Sequence, residues 1–351
     1  MKKVLIATFV AAFLFWSCDT DNLESQIPQE EQQKVDLGVD PNELDRMAEN
    51  TEGRQCHSMN VLARQLQENS GMLQRMQNIE THTRNFKKPG GGNGNGGGGN
   101  GGGDPDPGPD NLGTITIPVY VHVIYSTSQQ NISDNQINSQ IAVLNNDFRK
   151  SNSDVSQVPS EFSGLAADSE IEFVLAGVTR KSSTTASWGT NDSMKHASNG
   201  GVDVISPNTH LNIWVCNIGG GILGYAQFPG GSAATDGVVI SPQYFGSQGY
   251  VSAPFDEGRT ATHEVGHYLN LRHIWGDGRC KQDDFVSDTP SSDGPNYGCP
   301  SYPTVNCRSN DMTMNYMDYV DDACMYMFSE GQKTRMRALF ANGGARDGMI
   351  N

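Results

Sequence analysis

The chain has 351 residues, enough for a domain of typical size plus a smaller one, and its formal net charge is −16. An acidic surface argues against nucleic acid as a partner, because the phosphate backbone is itself negative. The same charge suits an exported protein that binds calcium, although many soluble proteins are acidic.

The N-terminus predicts export. A basic start precedes an apolar run from Val4 to Trp16, too short to span a bilayer as a mature helix and typical of a signal peptide at 1–18. Residues 14–18 resemble a bacterial lipobox with Cys18 as the lipidated residue, although Phe15 is bulkier than usual. We expect either an outer-membrane lipoprotein or a secreted protein, with membrane contact only through that lipid. Both compartments allow disulfides.

A glycine-rich tether divides the rest of the chain. Residues 19–50 are polar and predicted to be disordered. From Met59 to Phe86, apolar residues recur at helical spacing, which predicts one amphipathic helix or a pair. The stretch from Gly90 to Gly103 is nearly all glycine and precedes a proline-rich run, so no packed core can form there. We therefore expect a small region at 19–88, a linker at 89–110 and a larger domain at 111–351.

The large domain is predicted to have an α+β fold. A helix capped by Ser133 should run to Phe148, a second should begin near Arg259, and a last one should begin after Ser329. Residues from 276 to 323 are rich in Asp, Pro, Gly and Cys and are predicted to be mostly loops. Strands are predicted from runs of β-branched and aromatic residues at 115–125, 171–178, 211–216, 221–228 and 238–241.

Three of the eight histidines fall within eleven residues, at His263, His267 and His273. On a helix, His263 and His267 share one face and can bind one ion. His273 would lie roughly 15 Å along a straight helix axis from His263, so it joins them only if the chain turns sharply. Asn270 stands where that turn is needed, and Asn tolerates the left-handed conformation best after Gly. Glu264 can reach a water at the metal without being a ligand.

This spacing predicts a zinc site with three histidine ligands. Structural zinc sites close all four positions with protein, whereas catalytic sites leave one open. Three protein ligands therefore indicate catalysis. The alternative is a helix that carries ordinary surface histidines.

The motif is similar to the long metzincin signature, H-E-x-x-H-x-x-G-x-x-H followed by a Met-turn, with Asn270 in place of the Gly. Together with DFVSDTP at 284–290 and MNYMDY at 314–319, it resembles the pappalysin family, whose cytophagalysin and ulilysin type usually has this Asn. The resemblance covers 111–351, and more weakly the stretch from Arg54. It implies a metzincin fold, with a twisted mixed sheet and helices in an upper subdomain. It also implies an irregular, disulfide-bonded lower subdomain and a cleft between the two.

The resemblance implies a secreted zinc endopeptidase, made as a latent precursor with a proregion at 19–88. Glu264 would take a proton from water and pass it to the leaving amine. Tyr319 would stabilise the oxyanion, and Met317 would form the Met-turn beneath the zinc. Without the motif, Tyr319 and Met317 would be ordinary core residues.

Two further roles follow from the same resemblance. Asp322 matches an acidic residue at the base of the primed-side pocket, which implies cleavage before Arg or Lys; it could otherwise be a surface or calcium-loop carboxylate. Cys56 matches the proregion cysteine, whose thiolate would take the fourth zinc position. His57 is an alternative blocking ligand where relatives more often have Gly, and Cys56 could also be a spare thiol.

The loop-rich half contains Cys280, Cys299, Cys307 and Cys324, which allow three pairings. The resemblance implies Cys280–Cys307 and Cys299–Cys324. A second metal site built from these cysteines is the rival hypothesis, but there is no C-x-x-C pair. Cys216, in a predicted strand, should be a buried free thiol.

Side chains with oxygen ligands also cluster in this half: the carboxylates of Asp283, Asp284 and Asp288 and the hydroxyl of Thr289. The resemblance implies that they bind calcium, which prefers oxygen ligands. By composition alone, a solvated acidic loop fits equally well.

These features predict a monomeric zinc endopeptidase that acts on proteins or peptides. One alternative is a catalytically silent, surface-anchored adhesion protein that binds zinc, but such proteins usually lose the residue equivalent to Glu264. Another zinc amide hydrolase is the second alternative, and the Met-turn argues against it.

Overall fold

The computed structural model describes residues 53–86 and 110–350. The predicted signal peptide, Cys18 and the glycine-rich tether lie outside these residues. No helix within 53–86 or 110–350 is long and apolar enough to cross a membrane.

A five-stranded mixed sheet forms the core of the large domain, in the order β2-β1-β3-β5-β4. All neighbouring strands run parallel except β4, which pairs antiparallel with β5 and forms one edge. The central strands are buried because both faces of the sheet are covered, as their β-branched composition requires. The strands are β1 (Ile115–Tyr125), β2 (Ile171–Ser182), β3 (Leu211–Val215), β4 (Gly224–Ala226) and β5 (Val238–Ile240).

All five predicted strands are present; β3 and β5 are each one residue shorter than predicted, and β2 and β4 differ by more. β2 continues to Ser182 because β1 pairs with it as far as Tyr125. β4 has only three residues, since Gly220 and Gly221 before it adopt φ of 75° and 76° and turn the chain.

Five α-helices belong to the described residues: α1 (Ser58–Glu68), α2 (Met72–Asn85), α3 (Asp134–Phe148), α4 (Arg259–Tyr268) and α5 (Glu330–Ala338). The predicted caps are confirmed. The Ser133 hydroxyl accepts from the N–H of Gln136, and Ser329 with Gln332 forms a capping box at the start of α5. Of the two alternatives predicted for 59–86, one helix or a pair, the structure shows the pair, α1 and α2.

The half that follows α4 is mostly loop, as predicted. It contains four strands of two residues each: β6 (Tyr297–Gly298), β7 (Val305–Asn306), β8 (Ser309–Asn310) and β9 (Tyr319–Val320). The disulfides are Cys280–Cys307 and Cys299–Cys324, the two pairs that the resemblance implies. Cys216 is a buried free thiol, also as expected.

Helices α1 and α2 pack on the edge of the large domain. Met59, Leu62, Met72 and Met76 form an apolar cluster with Phe228, which follows β4. Just before α1, the chain lies along β4, where Cys56 and Gly224 form a parallel bridge. Residues 53–86 are therefore held against the edge strand β4 and the residues that follow it.

Candidate active site

Helix α4 and the turn after it bring the three predicted histidines together. His263 and His267 lie one helical turn apart, and Asn270 then adopts φ of 72°. The Nε2 atom of His267 lies 3.2 Å from that of His263 and 3.1 Å from that of His273. The left-handed turn predicted at Asn270 is what brings His273 back to the other two.

Each of these rings is fixed by a hydrogen bond to its other nitrogen, which leaves Nε2 as the inward-facing atom. The Nδ1 partners are the Tyr316 carbonyl at 2.7 Å from His263, the Leu271 carbonyl at 2.8 Å from His267, and the Asp277 carboxylate beside His273.

The donor set fits a zinc ion. Burial, followed by the neighbouring histidines, lowers the pKa of His263 and His267 well below its usual value, so both rings are neutral. Neutral imidazole is the form that binds a metal. The Sγ of Cys56 joins the three nitrogens in one buried group whose ligand atoms all lie within 4.8 Å of one another. Three nitrogens and one sulfur are ligands that zinc accepts in a tetrahedral site.

Glu264 lies beside this group without belonging to it. Its Oε2 accepts a hydrogen bond of 2.7 Å from the Ser58 hydroxyl and one of 3.4 Å from the Cys56 thiol. Burial raises the pKa of the Glu264 carboxyl to about 7. A carboxyl with a pKa near neutrality is suited to both accepting and donating a proton.

Tyr319 lies beside the histidine rings, and Met317 lies against helix α4. The Tyr319 ring is 4.8 Å from that of His273 and its hydroxyl donates to the Cys56 carbonyl at 3.3 Å. Burial raises the pKa of this hydroxyl, so it stays protonated and can donate. The Met317 sulfur packs so closely on Gly266 of α4 that a side chain there would clash with it.

Asp322 is fully buried and receives Arg54 from the region upstream of the tether. Its Oδ1 accepts a hydrogen bond of 2.6 Å from Nη2 of Arg54. Its Oδ2 accepts from the backbone N–H groups of Glu257 and Arg259, at 3.0 and 3.1 Å. The Asp322 carboxylate is therefore the buried anionic partner of the Arg54 guanidinium.

The rest of the Arg54 guanidinium is also satisfied. Nε and Nη2 both donate to the Val320 carbonyl, at 3.3 and 3.2 Å, and Nη1 donates to the Thr260 hydroxyl at 3.3 Å. The group lies over the Phe255 ring, 4.9 Å from its centre. Acceptors at several separate nitrogens match the forked guanidinium of an arginine better than they match the single ammonium of a lysine.

The predicted calcium ligands do not form one cluster. Asp288 accepts from the Ser329 hydroxyl at 2.6 Å and from the N–H of Gly331 at 2.8 Å, at the start of α5. Asp284 accepts from the Thr289 hydroxyl at 2.7 Å, and burial raises the pKa of its carboxyl to about 8. Asp283 is exposed.

Four contacting residues had no role in the sequence-based hypotheses. Arg54 and Ser58 flank Cys56 at two-residue intervals, a spacing that could have indicated a shared face of an extended segment. Asp277 lies four residues after His273, within reach of its ring. Glu80, on α2, bonds to Asn270 at 3.1 Å, and no sequence pattern indicates this pair.

Comparisons with known proteins agree with this geometry. The profile described as pregnancy-associated plasma protein-A, peptidase M43, matches residues 203–341. An extracellular metalloprotease of Coccidioides posadasii is 34% identical over 239 residues, which cover 64% of this chain and 77% of that protein.

Two solved structures are also similar. A mutant of Tannerella forsythia promirolysin has a TM-score of 0.73 and 42% identity, covering 84% of this chain and 97% of its own. Mature mirolysin of the same organism, in complex with a cleaved peptide, has a TM-score of 0.66 and 49% identity, covering 67% of this chain and 95% of its own. The predicted metzincin fold is thus confirmed, and the relatives are extracellular enzymes. The chain belongs to the pappalysin family of metzincin metalloproteases.

Proposed function

We propose that this chain is the latent precursor of an exported zinc endopeptidase that cleaves before arginine. One observation carries the proposal: residues 54–58 contact three parts of the site at once. Arg54 fills the pocket over Asp322, Cys56 faces the histidines, and the Ser58 hydroxyl donates to Glu264. A segment that contacts Asp322, the histidines and Glu264 at the same time would exclude substrate from all of them.

The proposed catalysis uses His263, His267 and His273 to hold zinc. When bound, zinc would polarise the scissile carbonyl and lower the pKa of a bound water. Glu264 accepts the water's proton and then donates it to the leaving amine, a role that its position beside the metal-binding group, but outside it, supports. The Tyr319 hydroxyl donates a hydrogen bond to the oxygen that becomes negative.

Latency is proposed to come from Cys56, with residues 19–88 as the proregion and 89–110 as the linker. The Cys56 sulfur belongs to the group of converging ligand atoms, and the His57 ring does not. Cys56 is therefore favoured over His57 as the blocking ligand.

The specificity proposal takes Arg54 as a stand-in for the substrate residue after the scissile bond. Lysine has one compact charge. Its ammonium could pair with Asp322 without also donating hydrogen bonds to the Val320 carbonyl and the Thr260 hydroxyl. We expect arginine to be preferred over lysine for this reason.

Calcium binding at residues 283–289 is also proposed, centred on Asp284 and Thr289, because Asp288 is engaged by Ser329 and Gly331. Support comes from Asp284, whose burial disfavours the charged form more than its partners favour it. A divalent cation would offset that cost. Calcium should raise the melting temperature of the wild type and have no such effect on Asp284→Asn; equal shifts in both would place calcium elsewhere.

The remaining proposals concern location and assembly. Relatives that are extracellular support export of this chain. We propose that the enzyme is a monomer and that Cys18 carries a lipid that holds the precursor at the outer membrane. Mass spectrometry of the isolated N-terminal peptide would detect the lipid, and an unmodified cleaved N-terminus would exclude it.

A peptide-library digest tests the whole proposal. The processed protein should cleave before Arg, lose activity with a zinc chelator and regain it when zinc is returned. A protein that binds zinc but cleaves no peptide in the library would instead support the silent adhesion protein.

A further inference from the structure

Glu80 is a buried acidic residue of α2, and the large domain supplies all the groups that hold its carboxylate. Nη1 of Arg335 donates to its Oε2 at 2.9 Å, and Nη2 of the same guanidinium pairs with Oε1. The Asn270 amide donates to Oε1 at 3.1 Å, while Nε of Arg335 donates to the Asn270 carbonyl at 2.7 Å. This is a two-pronged arginine–carboxylate pair with a polar neighbour, a geometry that selects carboxylates.

A second arginine, Arg272, lies close to this pair. Burial disfavours the charged form of Glu80, but the charge of Arg335 and, after it, that of Arg272 lower the pKa of its carboxyl. The guanidinium groups of Arg272 and Arg335 lie 5.7 and 5.3 Å from the centre of one ring, that of Phe285. Two like charges therefore converge at one place, and Glu80, the carboxylate paired with Arg335, belongs to the segment that processing would remove. Asp284 also interacts with Arg335, but its carboxylate is engaged by the Thr289 hydroxyl at 2.7 Å.

This arginine pair lies close to the metal-binding histidines. The Arg272 guanidinium is 5.3 Å from the centre of the Phe228 ring, and that ring is 5.3 Å from the ring of His267. The upstream segment fixes the direction: Arg54 contacts Asp322, Cys56 faces the histidines, and Met59 contacts Arg272. Arg272 is therefore on the far side of the metal-binding histidines from Asp322.

We propose that Arg272, Arg335 and Asn270 form a carboxylate-binding subsite of the processed enzyme. Glu80 fills it in the precursor, and an acidic side chain of the substrate fills it after processing. This deepens the proposed function and rests on it, because α2 must leave first. If the residue over Asp322 follows the scissile bond, the acidic residue precedes it. An extended peptide rises about 3.3 Å per residue. The residue that reaches the arginine pair is therefore expected to be the third before the scissile bond, or one of its two neighbours.

The test uses pairs of fluorogenic peptides with Arg after the scissile bond. Each pair carries Glu or Gln at the second, third or fourth residue before it, and is given to the processed, zinc-loaded enzyme. Uncleavable analogues with a reduced bond give Kd for the same pairs. At one position we expect Glu over Gln to improve kcat/KM and Kd by about tenfold, the lower range for a charged hydrogen bond. The ratio should fall as salt is raised.

Variants connect that preference to the subsite. The ratio should fall to about 1 in Arg272→Gln and in Arg335→Gln, and should stay near the wild-type value in the matched control Lys181→Gln, an exposed residue at the end of β2. A wild-type ratio of 1 at all three positions overturns the proposal, and this result needs no variant to fold. A ratio unchanged in both arginine variants also overturns it. If no peptide is cleaved, the proposed function fails, yet the Kd ratios still decide the subsite.

Discussion

The guanidinium of Arg54 lies 2.6 Å from the carboxylate of Asp322, although 268 residues separate the two in the chain. Both side chains are buried, so each removes an otherwise costly unpaired charge from the interior. An enzyme that recognises arginine at this carboxylate can thus be blocked by an arginine of its own precursor. The pair connects specificity and latency in one contact.

Asp322→Asn should reduce arginine recognition selectively. For the processed enzyme, kcat/KM on peptides with Arg after the scissile bond should fall roughly 10- to 100-fold, the equivalent of about 1.5–3 kcal/mol for a charged hydrogen bond. Peptides with a neutral residue after the scissile bond should be affected far less, because their binding does not depend on the charge of Asp322. An equal loss on both peptide sets would show that Asp322 only supports the backbone of Glu257 and Arg259.

Glu264→Gln should abolish proteolysis and leave zinc bound. The residue lies outside the group of converging nitrogens, so metal analysis should still find one zinc per chain. Loss of a general acid–base group typically costs about 10²–10⁴-fold in rate. Glu172→Gln, on outer strand β2, is the matched control and should retain full activity. Turnover of Glu264→Gln within tenfold of the wild type would remove Glu264 from this role.

The turn at Asn270 should control zinc affinity. Its φ of 72° is costly for alanine, by roughly 1–2 kcal/mol, and free for glycine. In the processed enzyme, Asn270→Ala should therefore bind zinc about tenfold more weakly in a chelator competition, whereas Asn270→Gly should match the wild type. Equal losses in the two variants would mean that the amide side chain matters and the turn does not.

The two disulfides should affect function differently. They span 27 and 25 residues, so loop-closure entropy gives each a similar stabilisation of about 3.5 kcal/mol. Replacing either pair with serine should lower the melting temperature by a comparable amount. Cys324 shares a single helical turn with Asp322, so only loss of Cys299–Cys324 should also weaken the preference for arginine. Equal selectivity in both variants would contradict this coupling.

Local features of the site could be predicted from the sequence. The spacing of His263 and His267, and the need for a left-handed residue at Asn270, follow from helix geometry alone. Caps at Ser133 and Ser329 were predictable for the same reason, since each depends on residues within one turn.

Contacts between distant segments could not be predicted in this way. Arg54 with Asp322 and Glu80 with Arg335 join residues far apart in the chain, and no periodicity relates them. Cysteine spacing left three pairings open, so only the family resemblance singled out one. The predicted length of β4 was wrong because two glycines turn the chain before the strand begins. Their conformation is not indicated by any apolar pattern.

The activity of an uncut precursor that carries Cys56→Ala tests the central claim most directly. The full chain, loaded with zinc and checked for an intact proregion, should cleave an arginine peptide measurably faster than the uncut wild type. Cys216→Ala, which removes the other buried free thiol, should remain as inactive as the wild type. If the Cys56→Ala precursor is also silent until its proregion is cut, Cys56 is not the residue that holds the enzyme latent.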